Sequence, residues 1–241
     1  MRELVSISLV TPVYNEEENI SVLLEKAVEI FKGKKIEAEI IVVNDGSTDN
    51  TRRICEELSE KQKTIRLINH EANRGYSQAI STGIKHAKKN FIILMDSDGQ
   101  FDVNDITAFL KKHDATGVDV IFGYRENRKG SFLRKLISSN MTKVSNILFG
   151  MKFKDTQSAF QFVKADILKS IEIESPSFQV PTEIKIKLSS LGERFEQIPV
   201  NHCERKGGKA NLKAFKIIPP TISFLLWLKW KMTFSKVRSH V

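Results

Sequence analysis

The sequence predicts an α/β fold in which a mostly parallel sheet is flanked by helices. Short apolar runs alternate with segments of helical period between residues 7 and 123. These runs consist almost entirely of Ile, Val and Leu, as in parallel strands that are buried on both faces. No solenoid repeat interrupts the alternation. A doubly wound sheet follows from this order of strands and helices.

Each predicted element has its own signal. Strands are predicted at 7–13, 38–43, 64–69, 91–96 and 118–123, where the apolar runs occur. Helices are predicted after the first three strands, because apolar residues recur there at intervals of three or four. These residues are Ile20, Leu23, Leu24, Ala27 and Ile30 in the first helix, Ile54 and Leu58 in the second, and Ala79, Ile80, Ile84 and Ala87 in the third.

Length and composition indicate an ordinary globular protein. The chain has 241 residues, of which 41% are apolar and 28% charged. Its two cysteines, Cys55 and Cys203, lie far apart, so we expect no disulfide scaffold. MRELVSISLV leads directly into a strand pattern, and no apolar run is long enough to span a bilayer. We therefore expect no signal peptide, no transmembrane helix and a cytoplasmic location.

Positive charge is concentrated in two segments. Residues 125–154 hold eight Lys and Arg against one acid, and residues 205–241 hold nine against none, whereas the chain as a whole has a net charge of +9. Such segments attract nucleic acids, anionic lipids or phosphorylated substrates. Large apolar residues interrupt both segments, which is less typical of plain solvated faces.

Polar loops follow four of the predicted strands. They read TPVYNEEENI, NDGSTDNT, DSDGQ and GYRENRKG. Any one of them could be ordinary turn and cap chemistry, since Ser, Thr and Asp are good helix N-caps. All four fall at the carboxyl edge of the sheet, however, where α/β folds bind their ligands. We therefore expect a functional site at this edge.

The stretch LMDSDGQ places two carboxylates one residue apart, directly after a buried strand. In extended chain Asp96 and Asp98 would project to the same side, where they require a cation between them. This cation is either a Lys or Arg side chain or a divalent metal. With Gln100 nearby, the oxygen ligands suit Mg²⁺ or Mn²⁺.

A metal at this edge would suit a nucleoside diphosphate. The sequence has neither a GxGxxG turn after the first strand nor a Walker-type loop, so phosphates would be held by metal and side chains. Asp45 and Glu16 are candidates to hold the base or ribose, and Tyr14 offers a flat ring to the base. The scattered histidines form no metal-binding motif.

The motifs TPVYNEEENI, VVNDGSTDNT, NRGYSQAISTGIKHA and LMDSDGQFD resemble, in order and spacing, the core of the family-2 glycosyltransferases. GYRENRKGSFLRKLIS, DTQSAFQFVKADIL, FQVPTEIKIKLSSLG and IPVNHCERKGGKANLK extend the resemblance to the dolichyl-phosphate mannosyltransferase-like branch. The resemblance covers roughly residues 5–216 and implies a GT-A fold.

The resemblance also implies roles for single residues. Nucleotide binding is implied for Pro12, Tyr14, Glu16, Val43, Asp45, Asp96, Ser97, Arg205 and Lys209. Metal binding is implied for Asp96, Asp98 and Gln100, and a catalytic role for Asp98, Arg125 and Arg134. Asn44 stands where many relatives have a first Asp, but Asp45, the acid expected to contact the base, is retained.

The implied reaction is metal-dependent, inverting transfer of a sugar from a nucleoside-diphosphate sugar, most simply to a polyprenyl (dolichyl) phosphate. A phosphate acceptor needs no general base, because its second pKa is about 6, but it does need positive charge nearby. A glycan or protein hydroxyl acceptor would need a base, and Asp155 and Glu183 are the candidates. Either acid could instead be structural.

Two functions of other classes remain open. A sugar-1-phosphate nucleotidyltransferase would share the sheet and the metal carboxylates, but it usually carries a Gly-rich first loop. A non-enzymatic basic module would leave the carboxylate pair without a purpose, and no nucleic-acid motif appears, so we expect no nucleic-acid partner.

Two basic segments predict contact with an anionic membrane surface. Residues 131–149 have the pattern of an amphipathic helix with Arg134, Lys135 and Lys143 away from its apolar face. The C-terminal segment sets two Trp among lysines, as in interfacial anchors. Packing against the body or a dimer interface are the competing interpretations. We expect a catalytic domain at 1–216 and a basic amphipathic tail at 217–241, with the protein peripheral at the inner membrane face.

Overall fold

The computed structural model of the protein describes residues 4–126, 132–204 and 214–238, and the side chains of 4–126, 135–204 and 218–234. Its strands are β1 (Ser6–Val13), β2 (Glu37–Asn44), β3 (Ile65–Asn69), β4 (Phe91–Leu94), β5 (Val120–Arg125), β6 (Gln161–Lys164) and β7 (Phe195–Val200). Its helices are α1 (Ile20–Gly33), α2 (Thr51–Lys61), α3 (Tyr76–His86), α4 (Ile106–Thr116), α5 (Phe132–Phe149), α6 (Ala165–Lys169), α7 (Val180–Ser190) and α8 (Ala214–Arg238), with a 3-10 turn at Val103–Asp105. The five predicted strands are present, with ends within two residues of those expected.

The strands form one mixed sheet in the order β3-β2-β1-β4-β6-β5-β7. Every neighbouring pair is parallel except the two pairs that involve β6, which runs antiparallel to both β4 and β5. The prediction of a mostly parallel sheet flanked by helices is confirmed. The register sets Val13 opposite Asn44, so that the loops after β1 and β2 start side by side.

The antiparallel strand β6 was not predicted. It is four residues long and lies between β4 and β5, where Phe162 stacks on Phe91 with ring centroids 4.6 Å apart. The aromatic contact joins the two halves of the sheet through the core. A short apolar run inside a polar stretch carries no information about strand direction, which explains why β6 escaped the sequence analysis.

Alternating residues of each strand feed two cores on opposite faces of the sheet. In β1, Leu9 packs with α1, and Val10 packs with α3. The α3 helix lies close to the sheet at Gly83, where a Cβ atom would come within 2.3 Å of the Val10 side chain. Glycine at this position therefore allows the helix to seat directly on β1.

A third apolar cluster holds the C-terminal helix to the body. Phe224, Leu225 and Leu228 of α8 pack against Met141 of α5 and Ile186 of α7. Thus part of the apolar pattern in both basic segments is core packing, the competing interpretation noted for the sequence. Pro219 and Pro220 lie within α8.

The helices in the described ranges 4–126, 132–204 and 214–238 include none with both the length and the apolar character needed to span a bilayer.

Candidate active site

A cleft of about 670 Å³ opens at the carboxyl edge of β1, β2 and β4. We call it the acidic cleft, because its side chains include four carboxylates. Its walls come from the loops after these strands, the start of α3 and the segment before α7. It is lined by Pro12, Val13, Tyr14, Asn15, Glu16, Asp45, Asn73, Gly75, Tyr76, Ala79, Asp96, Ser97, Asp98, Gln157, Ser177, Phe178 and Pro181.

Asp96 and Asp98 lie beyond the end of β4, which stops at Leu94, so their common orientation does not come from an extended strand. Both nevertheless line the acidic cleft. Asp96 Oδ1 accepts a hydrogen bond from the Tyr76 hydroxyl at 2.8 Å, and Asp98 Oδ1 accepts one from the backbone amide of Gln100 at 3.1 Å. Hydrogen bonds thus fix one oxygen of each carboxylate.

The two carboxylates are electrostatically strained. Burial, followed by the negative charge of Asp98, raises the pKa of Asp96 from 3.8 to about 7. Burial and the charge of Asp96 also raise the pKa of Tyr76 well above its usual value, which keeps its hydroxyl protonated as a donor. A divalent cation would relieve the repulsion between the carboxylates and accept their oxygens as ligands.

No group of three or more His, Cys, Asp and Glu side chains in the described part of the chain is arranged to hold a metal ion. The carboxylate pair therefore fits a cation that takes its other ligands from a bound anion or from water, as Mg²⁺ commonly does. Gln100, the third predicted metal ligand, does not line the cleft; its side-chain Nε2 donates to the Cys203 carbonyl at 3.4 Å.

Hydrogen bonds between the loops set the shape of the cleft. Ser97 Oγ donates to the Pro12 carbonyl at 2.8 Å, which ties the carboxylate loop to the end of β1. The Glu16 amide donates to Thr51 Oγ1 at 2.8 Å, and the Glu16 carboxylate accepts from Asn19 Nδ2 at 2.8 Å. Tyr14 leaves 38% of its surface exposed in the cleft, the most open of the predicted nucleotide-binding side chains there.

Asp45 is held by three donors. Its Oδ1 accepts from His70 Nδ1 at 2.7 Å and from the Arg74 amide at 2.9 Å, and its Oδ2 accepts from the Gly75 amide at 2.8 Å. Gly46 lets the two loops meet, since a Cβ there would lie 2.6 Å from backbone atoms of Ala72 and Asn73.

The neighbours of Asp45 in β2 point elsewhere. The Val43 side chain is fully buried in the core beside α3, so only its backbone is available to a ligand. Asn44, which replaces the acid of many relatives, is buried and donates to Asn69 Oδ1 at 2.8 Å. It also accepts from the Ser47 amide at 3.1 Å. Asn44 therefore joins β2 to β3 and shapes the following turn.

A second cleft, of about 900 Å³, lies beside the first. We call it the basic cleft. It is lined by Arg125, Glu126, Lys135, Ser138, Ser139, Thr142, Lys154, Asp155, Pro199, Val200, Asn201, His202 and Cys203. At the boundary, Ser138 Oγ in the basic cleft donates to Gln157 Oε1 in the acidic cleft at 2.6 Å. Gln157 thus links the two clefts, since its backbone amide also donates to Asp155 of the basic cleft at 3.0 Å.

Arg125 is held rigidly in the basic cleft. Its Nε and Nη2 donate to the two oxygens of Asp155 at 2.6 and 2.9 Å. Burial alone would raise the pKa of Asp155, but Arg125 and then the charge of Lys185 lower it. Asp155 also accepts from the Gln157 amide at 3.0 Å, so the interpretation as a loop acid that holds an arginine and a backbone amide is confirmed. The charge of Arg125 also acts on Asp96.

Two further charged residues are buried behind the clefts. Lys185 is fully buried and donates to the Ser158 carbonyl at 2.6 Å; burial lowers its pKa to about 7, against the opposing effect of Asp155. Glu183 is also fully buried and accepts from the amides of Glu174 and Ser175 at 2.9 and 2.8 Å. Its carboxylate therefore holds the chain before α7 and does not line either cleft.

Three predicted site residues lie wholly or in part outside the described structure. Arg205 and Lys209 lie outside the described residues, and the Arg134 side chain also lies outside the described side chains. Five residues whose side chains line the clefts, or support the residues that do, were not singled out in the sequence. These are Tyr76, His70, Ser138, Gln157 and Lys185. All of these except His70 stand in motifs that carry the family resemblance, but only the three-dimensional contacts show what their side chains touch.

Comparisons with known proteins identify the family of the chain. Residues 8–169 match the model of glycosyl transferase family 2. A dodecaprenyl-phosphate galacturonate synthase of Rhizobium johnstonii is 27% identical over 93% of this chain and 68% of its own. An undecaprenyl-phosphate 4-deoxy-4-formamido-L-arabinose transferase of Edwardsiella ictaluri is 28% identical over 88% of this chain and 64% of its own, so the chain spans just under two thirds of that relative.

A similar fold occurs in glucosyl-3-phosphoglycerate synthase of Mycobacterium tuberculosis, solved with Mn²⁺, uridine diphosphate and phosphoglyceric acid. The TM-score is 0.67 at 17% identity, over 92% of this chain and 78% of that one. The match supports the GT-A fold. The family match favours a glycosyltransferase over the two alternatives that the sequence left open, a sugar-1-phosphate nucleotidyltransferase and a non-enzymatic basic module. The chain belongs to glycosyl transferase family 2 and is a glycosyltransferase that resembles the polyprenyl-phosphate sugar transferases.

Proposed function

We propose that the protein transfers a sugar from a nucleoside-diphosphate sugar to a polyprenyl phosphate, with inversion and with the help of Mg²⁺ or Mn²⁺. The observation that carries this proposal is the junction of the two clefts: a strained carboxylate pair in one adjoins a clamped arginine in the other. One cleft suits a metal-bound diphosphate, and the other suits an anionic acceptor.

The donor would occupy the acidic cleft. Asp96 and Asp98 would hold the cation, which when bound would neutralise charge on the diphosphate leaving group. The Tyr76 hydroxyl would orient Asp96 by donating to one of its two carboxylate oxygens, so that the other oxygen could bind the cation. The exposed ring of Tyr14 would lie against the nucleoside, with Glu16 and Asp45 in the wall near it.

The acceptor phosphate would occupy the basic cleft. Arg125, Lys135 and Lys154 supply positive charge there, and Ser138 and Ser139 supply hydroxyl donors. An acceptor phosphate oxygen would attack the anomeric carbon from the face opposite the nucleoside diphosphate, as the bond from that carbon to the diphosphate oxygen breaks. A single displacement of this kind inverts the anomeric centre.

The placement of the acids favours a phosphate acceptor over a hydroxyl acceptor. Both candidate bases, Asp155 and Glu183, accept several hydrogen bonds from within the protein, and Asp155 is paired with Arg125. A phosphate acceptor is already largely dianionic at neutral pH, because its second pKa is about 6. It can therefore attack without a general base, provided that cations reduce its repulsion from the donor.

The sugar-transfer proposal is tested by screening a panel of sugar nucleotides with Mn²⁺, with and without a short polyprenyl phosphate. The wild type is expected to release nucleoside diphosphate from one donor, and faster with the lipid acceptor. Asp98→Ala is expected to abolish release while its circular dichroism spectrum and melting temperature stay close to wild type. Undiminished turnover by this variant in chelator-treated buffer would refute the role of the metal.

We also propose that the protein acts at the inner face of the membrane, through α8. Leu226, Trp227, Trp230 and Phe234 are each at least 40% exposed, and Lys229 is exposed beside them. The opposite face of α8 packs on the body. Aromatic side chains flanked by lysine are typical of helices that lie in an anionic lipid interface.

Deletion of 219–241 would remove core residues, so point substitutions test membrane binding more cleanly. The triple variant Trp227→Ser, Trp230→Ser and Phe234→Ser is expected to lose sedimentation with phosphatidylglycerol vesicles. Ser223→Ala with Thr233→Ala on the same helix is the control, since these side chains are exposed and small. Equal sedimentation of the triple variant and wild type would refute the proposal.

A further inference from the structure

A buried histidine lies behind the wall of the acidic cleft. The side chains of His70 and Asp45 are each 5% exposed, and His70 Nδ1 lies 2.7 Å from Asp45 Oδ1. On the other side of the ring, Nε2 lies 3.1 Å from Thr82 Oγ1 in α3. A carboxylate only accepts hydrogen bonds, so Nδ1 bears a hydrogen atom and donates a hydrogen bond to Asp45.

The partner of this histidine is the carboxylate that organises the neighbouring loop. Asp45 accepts the backbone amides of Arg74 and Gly75 in addition to His70. Asn73, Gly75 and Tyr76 line the acidic cleft from that loop and the start of α3. A rotation of the Asp45 carboxylate would therefore break both of these hydrogen bonds and alter the wall of the cleft, although the Gly75 amide would keep its second acceptor, Asn73 Oδ1 at 3.1 Å.

His70 limits that rotation. The ring is fixed at both nitrogens, by Asp45 in the loop after β2 and by Thr82 in α3. The position of Asp45 is thereby tied to a helix that is seated directly on β1 at Gly83. A buried polar contact with a partner at each end specifies one arrangement more strongly than a solvated contact would.

We propose that His70 is a positioning residue for the donor nucleotide: through its Nδ1–H it fixes Asp45, and through Asp45 it fixes the Asn73–Gly75 wall of the acidic cleft. The proposal rests on the proposed function, because it requires that this cleft takes the nucleotide. It assigns the essential contact to one ring nitrogen, and this can be tested with residues that mimic each nitrogen separately.

Four variants separate the two nitrogens from simple packing. His70→Asn can place an amide N–H near the position of Nδ1, whereas His70→Gln reaches only the position of Nε2. His70→Phe retains a ring without either nitrogen. His86→Asn is the matched control, because His86 is an exposed histidine of α3 whose Nδ1 donates to the Thr82 carbonyl at 2.8 Å and which does not line the acidic cleft.

Two measurements are made on the full chain. Calorimetric titration with UDP, GDP, CDP, ADP and dTDP in the presence of Mn²⁺ identifies the diphosphate that the wild type binds, and gives its affinity for each variant. Hydrogen exchange without any ligand reports on the Arg74 and Gly75 amides. Melting temperatures record whether a variant is simply less stable.

The proposal predicts a rank order. His70→Phe and His70→Gln should bind the diphosphate roughly tenfold more weakly or worse, as expected for a lost hydrogen bond to a carboxylate. Both should exchange the Arg74 amide faster, with a smaller change at the Gly75 amide, which also donates to Asn73 Oδ1. His70→Asn should stay within about threefold of wild type in affinity. His86→Asn should match wild type in both measurements.

Four outcomes would overturn the proposal. Equal impairment of the Asn and Gln variants would show that Nδ1 has no special part, and losses that follow melting temperature alone would show a merely structural role. Wild-type affinity in His70→Phe would show that neither ring nitrogen is needed for binding. If the wild type binds none of the diphosphates, the donor assignment itself fails, and the inference fails with it.

Discussion

Replacement of Asp96 by asparagine should stabilise the protein at alkaline pH while it removes activity. The pKa of Asp96 is raised from 3.8 to about 7 by burial and by Asp98. An acid whose pKa is higher in the folded state destabilises that state as pH rises from 4 to 7, because the unfolded chain loses its proton first. At roughly 1.4 kcal/mol for each tenfold change in proton affinity, the difference corresponds to at most about 4 kcal/mol above pH 7.

Asparagine removes the charge but keeps an oxygen that can accept from the Tyr76 hydroxyl. Urea unfolding of Asp96→Asn in EDTA should therefore show a free energy of unfolding about 2 to 4 kcal/mol above wild type at pH 8. At pH 4 the gain should fall below about 1 kcal/mol, since the native carboxyl is then protonated in wild type as well. Mn²⁺ should stabilise the wild type at pH 8 and leave the variant unchanged.

Asp166→Asn is the control for this comparison, because Asp166 is an exposed first-turn acid of α6 with no part in either cleft. Its free energy of unfolding should change by less than about 1 kcal/mol at either pH. A destabilised Asp96→Asn at pH 8, or a gain of equal size at both pH values, would refute the claim that the carboxylate is held under electrostatic strain.

Three other predictions concern stability. Asp155→Asn should destabilise by about 3 to 5 kcal/mol in urea unfolding, because it leaves Arg125 partly buried without its carboxylate; a loss below 1 kcal/mol would contradict this. Gly83→Ala should destabilise by about 1 to 3 kcal/mol, because its Cβ would meet Val10 at 2.3 Å, and unchanged stability would show that α3 can shift freely. Leu225→Ala should cost about 2 to 5 kcal/mol and speed proteolysis within α8, whereas the exposed Leu226→Ala should do neither.

The strands were predictable because burial on both faces leaves a direct mark on the sequence. The five predicted strands appear with ends within two residues. The end of β4 was placed too late, since Met95 continues the apolar run although the strand stops at Leu94. The antiparallel β6 was missed, because strand direction is decided by connections and pairing, which a four-residue run does not encode.

The amphipathic helices show a different limit. Helical period identifies an apolar face but not what covers it. Most apolar residues of α5 in the described side chains are at least partly buried against α8 and α7, and only Leu136 and Ile147 are exposed. In α8 the apolar residues divide between the core and an exposed aromatic surface. Sequence spacing could not make this division, because it depends on the position of a distant helix.

The candidate site was predictable as a location more than as a mechanism. The rule that ligands bind at the carboxyl edge of parallel strands identifies the loops that carry Asp45 and Asp96. What each carboxylate contacts depends on residues that are 20 to 30 positions away in sequence. The bidentate clamp of Arg125 by Asp155 spans the same kind of interval, across a whole helix.

A single helix connects these long-range contacts. At the start of α3 the Tyr76 hydroxyl donates to Asp96, and six residues later Thr82 supports the histidine that holds Asp45. The next residue, Gly83, lets the helix lie directly against the sheet. Because the helix is seated on the core, it cannot move relative to the strands without disturbing both carboxylates together. The geometry of the acidic cleft is therefore set by core packing as much as by the loops that line it. A change in the packing of α3 should alter the acidic cleft even where the substituted side chain does not line it.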